Sequence, residues 1–197
     1  MMHVTPRLAD HRHGVAIFAI ARSFLPHFSE LDTLDFELDL LPSSSRLLGL
    51  TDQDRSIPRV RIRSARPTNP SLTYAIPHEL THLLQLPLRC VPQGERAADL
   101  FAMARAGDRF GVAPSYLRVP VPVRDGWSAW RPTAAALARE ALERRETGQR
   151  AYMAWWEAEL RNQCRGRESN PLTTDLQSVT LAALSPRRGV AHPAEGY

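Results

Sequence analysis

Two pairs of polar side chains, each four residues apart, constrain this chain more than any other feature. Both lie in "YAIPHELTHLLQLPLRCVPQGERAADLFAMARAG": His78 and His82 bracket "HELTH", and Glu95 and Asp99 bracket "ERAAD". Residues four apart on a helix share a face, because 3.6 residues make a turn. The segment holding Glu95 and Asp99 is otherwise rich in Ala, Leu, Phe and Met, so as a helix it buries itself. Carboxylates buried without partners are heavily penalised. Any fold this chain adopts must therefore bring a cation or a proton donor to meet them.

The histidine pair supplies what the acids need. His78 and His82 can direct two imidazole nitrogens at one metal ion, at roughly 2.0–2.1 Å each. Glu79 lies about 100° further round the helix, where it can address a metal-bound water without being a ligand. Catalytic zinc sites commonly take three protein donors and leave a position for water, and Glu95 is the candidate third donor. Asp99 can then accept the remaining N–H of a histidine. Plainer readings compete. Glu95 follows Gly94 and suits a helix start, where the macrodipole favours an acid. Asp99 could pair with Arg96 or Arg105. Cys90, in the connection, is a small hydrophobe or a fourth ligand that would close the site. His11 and His13, in "HRH", read as solvent-facing and are assigned no metal.

HELTH followed by ERAAD resembles the HExxH…ExxxD signature of the gluzincin branch of zincin metallopeptidases, over Tyr74 to Asp99. The resemblance implies His78, His82 and Glu95 as zinc ligands, Glu79 as general base, and Asp99 as the group that orients the first histidine. It also implies a peptide or protein substrate and an α+β fold. That fold would be a minimal zincin-like domain, with a small, mostly antiparallel sheet packed on the active-site helix and a helical C-terminal half. An oxyanion needs a second donor besides zinc; Tyr116 is the first candidate, with Tyr74 and Arg118 behind it. Two departures stand out. Only twelve residues separate His82 from Glu95, and Pro77 directly precedes His78. The helix therefore either starts close to His78 or kinks there. The competing function class is a non-catalytic module of zincin fold, its metal structural or absent.

The remaining chain fits one domain over residues 1–162, beginning with a loose N-terminus at 1–13. The spacing of Gly14 to Phe28 predicts a helix. "LDFELDLLP" alternates with period two, placing Leu34, Phe36, Leu38 and Leu40 on one face of a strand. "SRLLGL" and "PRVRIRSA" are further strand candidates. "VAPSYLRVPVPVRDG" reads as an extended arm, and residues 130–163 as one long helix or two broken near Gly148. Trp155, Trp156 and Leu160 are expected to dock that part on the core. Residues 163–197 read as an irregular tail, and "RESNPLTTDLQSVTLAALSP" resembles the conceptual translation of the reverse strand of a transfer-RNA gene.

Charge narrows the partners. All 25 basic residues are arginine, balanced by 21 acids to a net +4. The two signs are interleaved without a long cationic run, so no nucleic-acid partner is expected. "GVAIFAIA" is too short to span a bilayer, so no membrane association is expected. Cys90 and Cys164 fit no CxxC spacing, and with no signal peptide recognised the expected location is the cytoplasm.

Overall fold

The computed structural model describes residues 1–169. Residues Met1–Cys164 form one compact unit. The fold is α+β: a four-stranded mixed sheet and, among the described residues, seven α-helices. The chain runs β1 (Met2–Val4), α1 (Pro6–Ala9), α2 (Gly14–Phe24), β2 (Phe36–Leu40), β3 (Gly49–Asp52) and β4 (Arg59–Ile62). It continues through α3 (Leu72–Gln85), α4 (Glu95–Ala106), α5 (Val121–Asp125), α6 (Trp127–Glu146) and α7 (Tyr152–Glu168). No helix of the described residues is long and apolar enough to cross a membrane.

The sheet order is β1-β2-β4-β3. β2 pairs in parallel with β1 on one side and β4 on the other; only β3 and β4 run antiparallel. The expectation of a mostly antiparallel sheet is therefore corrected. Alternation along β2 and β4 reports which face is buried, and says nothing about strand direction. That alternation does hold. Phe36, Leu38, Leu40, Val60 and Ile62 are buried, while Arg59 and Arg61 pair with Glu37 and Asp52 at 2.6 and 3.0 Å.

The N-terminus is also corrected. β1 adds an edge to β2, with Met2 opposite Phe36. Thr5 caps α1 and donates from Oγ1 to the buried Asp39 at 2.6 Å, and Leu8 is fully buried. A three-residue strand is too short to show a period, which is why the segment reads as loose.

α3 runs through the core with nearly every residue buried, and α2, α4, β3 and β4 pack on it. α4 packs in turn on α6. The proline-rich arm holds the short helix α5 rather than staying extended throughout. The C-terminal half is a pair of helices parted at Gly148, which adopts φ +94°. Trp156 and Leu160 are fully buried, and Trp156 Nε1 donates to Ala134 O at 3.0 Å. Trp155 is half-buried under the Arg144 guanidinium. The expected irregular tail is corrected at its start: α7 continues to Glu168, anchored by buried Cys164. Most of the transfer-RNA-gene-like stretch, from residue 170 on, lies outside the described residues.

Candidate metal centre

Both site helices form as their spacing predicts, and the proline sits inside one of them. α3 begins at Leu72, so Pro77 occupies its sixth position and His78 follows within the helix. Thr81 Oγ1 donates to Pro77 O at 2.8 Å. α4 begins at Glu95, directly after Gly94, whose φ of +102° is open to glycine and strained for other residues.

These elements bring four of the expected residues together. Glu95 Oε2 lies 3.0 Å from His78 Nε2 and 3.3 Å from His82 Nε2, and the two Nε2 atoms are 3.2 Å apart. The Nδ1 atoms face away. His78 Nδ1 lies 2.8 Å from Asp99 Oδ1, and His82 Nδ1 lies 2.7 Å from Gln85 Oε1. With each Nδ1–H donating to an oxygen, both Nε2 atoms present lone pairs to one another and to a carboxylate oxygen. A proton on one imidazole or a metal ion among the three atoms would satisfy these contacts. Imidazole nitrogens and carboxylate oxygens are the donor types that hold zinc, and these three lie within 3.3 Å of one another. The donor set therefore fits the ion.

Asp99 is fully buried, and its carboxylate is saturated by site groups. Besides His78, it accepts from Tyr74 Oη at 2.9 Å and from the Tyr116 backbone N–H at 2.7 Å. The alternative ion pairs of Asp99 are not formed. Arg96 binds Glu157 at 2.6 Å and Arg105 binds Glu30 at 2.7 Å. Glu95 differs in exposure, its side chain being 48% accessible at the mouth of the site. Its place at the helix start and its place beside the imidazoles coincide.

Glu79 is buried against β3. Thr51 Oγ1 lies 2.7 Å from Glu79 Oε2 and 3.0 Å from Glu79 O. Burial pushes the Glu79 carboxyl above its ordinary range, against the pull of the histidines and the Thr51 hydroxyl. Burial opposes charge on His78, yet the bond to Asp99 and the surrounding carboxylates raise its pKa overall. Gly49 makes the fit possible, because a Cβ there would fall 2.5 Å from Glu79 Cγ and Oε1.

A cleft of about 260 Å³ opens over this cluster, walled by β3 on one side and Tyr116 on the other. The Tyr116 ring stacks on His78 with centroids 5.5 Å apart and is 48% exposed. Of the three oxyanion candidates only Tyr116 borders this cleft. Tyr74 is spent on Asp99, and its phenol is pushed well up by burial. Arg118 is exposed and outside the cleft lining, its backbone N–H donating to Glu157 at 3.0 Å. Cys90 is exposed too, its Sγ 3.5 Å from Leu88 O and absent from the cleft lining.

Four residues escaped the sequence reading. Gln85 orients His82 and donates to Pro92 O and Gly94 O at 2.7 and 2.9 Å, pinning the connection that delivers Glu95. Gln53 Nε2 donates to His82 O at 2.7 Å. Thr51 and Gly49 shape the pocket of Glu79. Gln85 alone left a signal, lying three residues after His82 on the same helix face. No family model, curated protein or solved structure matches this chain.

Proposed function

We propose that the protein is a zinc-dependent hydrolase that cleaves peptide bonds, with His78, His82 and Glu95 holding the ion. The observation that supports this is the triangle of acceptors at 3.0–3.3 Å, backed by oxygens on both Nδ1 atoms. Bound zinc would acidify a water and polarise a carbonyl. The chain's own groups supply the rest. Glu79 takes the proton of the attacking water on its carboxylate and returns it to the leaving amine. Asp99 holds His78 in the tautomer that leaves Nε2 free. Tyr116, half-exposed over the cleft, donates to the developing oxyanion. β3 is the end strand of the sheet, so its outer edge offers backbone groups to an extended peptide. The exposed thiol of Cys90 suits a reducing compartment, which supports the cytoplasm as the enzyme's location.

The deciding experiment is Glu79→Gln, assayed for bound zinc and for peptide cleavage together. Zinc retained at one ion per chain with turnover down about a thousandfold or more is expected. Full turnover in that variant removes Glu79 as the base. A wild type that binds zinc and cleaves nothing makes the ion structural.

A further inference from the structure

A second cavity, of about 230 Å³, adjoins the cleft over the metal centre. It shares Leu47, Gly49, His78, Glu79 and Tyr116 with the cleft, and contains neither His82 nor Glu95. Leu48 and Ala75 give it apolar wall, and the exposed Arg46 also lines it. Arg46 makes no hydrogen bond or ion pair within the described residues. Its neighbours are nevertheless fixed: Ser45 O accepts from Arg63 Nη2 at 3.0 Å, and Leu47 N donates to Ser45 Oγ at 3.2 Å. A pinned loop thus presents an uncommitted guanidinium to a pocket sized for one side chain, next to the reacting centre.

Resting on the hydrolase reading, we propose that Arg46 makes this pocket select a carboxylate on the residue adjoining the cleaved bond. The guanidinium fork matches a carboxylate in two parallel bonds. The rest of the site enforces the direction. The acids Glu79 and Glu95 line the cleft on the metal side, and Arg46 is the one arginine lining either cavity. Either an acidic side chain or a free chain end supplies the required group.

The test uses an octapeptide library in which each position in turn carries Glu, Gln or Lys, with C-termini free or amidated. Zinc-loaded full-length Glu79→Gln is the binding reagent, and zinc-loaded wild type reports cleavage by mass spectrometry. One position is expected to favour Glu over Gln by about tenfold in binding and in kcat/KM. Arg46→Gln should erase that ratio, and Arg46→Glu should invert it towards Lys. Preference confined to free C-termini identifies the chain end, and preference surviving amidation identifies the side chain. Equal binding of Glu and Gln peptides overturns the assignment, as does a uniform loss of turnover on all peptides in Arg46→Gln. If the acidic preference appears in binding and depends on Arg46 while wild type cleaves nothing, the hydrolase reading fails and the carboxylate pocket stands.

Discussion

At the scale of single residues, Glu79 is governed by two neighbours with opposite demands. Gly49 leaves the volume in which its carboxylate is buried, and burial favours the protonated acid. The Thr51 hydroxyl bonds the carboxylate and favours the charged form. A general base must be ionised, so turnover falls as pH drops through the Glu79 pKa. The acid limb of kcat/KM therefore reports the Glu79 carboxyl in the zinc-loaded protein. Replacing Thr51 with Val removes the bond that holds the pKa down, so the limb should move to higher pH. Thr51→Ser, which keeps the hydroxyl, should leave it in place. Profiles measured at saturating zinc decide the matter; a limb that ignores Thr51→Val belongs to another group.

At the scale of elements, α3 and α4 make the centre only because the short connection between them is tied down. Gln85 ends α3, takes the His82 N–H on its oxygen and binds two backbone carbonyls of the connection through its nitrogen. Gln85→Leu removes all three bonds with little change in size, and should weaken zinc binding by about 10–100-fold in competition with a chelator. Gln85→Glu keeps the acceptor for His82 but loses both donations, and should fall between. Unchanged affinity in Gln85→Leu would mean the connection holds its shape unaided. This division also explains what was legible in the sequence. His78, His82, Glu95 and Asp99 announce themselves because helical spacing turns a linear pattern into a shared face. Gln85 is legible only through its spacing from His82, since its other partners are backbone atoms that no pattern encodes. β1 was missed because three residues carry no period, and the parallel pairing of β2 because alternation is blind to direction.

At the scale of the whole molecule, the centre is assembled from distant parts of the chain. β3 supplies the wall behind Glu79, α3 and α4 the donors, and the arm after α4 the Tyr116 lid. That arm is held by side chains from three helices. Tyr74 on α3 accepts from Ser115 N, Asp99 on α4 from Tyr116 N, and Glu157 on α7 from Arg118 N. A cation bound at the centre would therefore stabilise a constellation that the unfolded chain does not possess, and its binding free energy would add to folding. Zinc at a thousand times its dissociation constant would contribute about 4 kcal/mol. For a folded unit of this size that corresponds to a rise in Tm of roughly 8–16 °C over protein held in chelator. The rise should grow with the logarithm of free zinc. It should largely vanish in His82→Ala, whose partners Gln85 and Glu95 would be left without the imidazole. Calorimetry across a zinc series reads both effects, and a Tm indifferent to zinc, or raised equally in His82→Ala, would remove the metal from the centre.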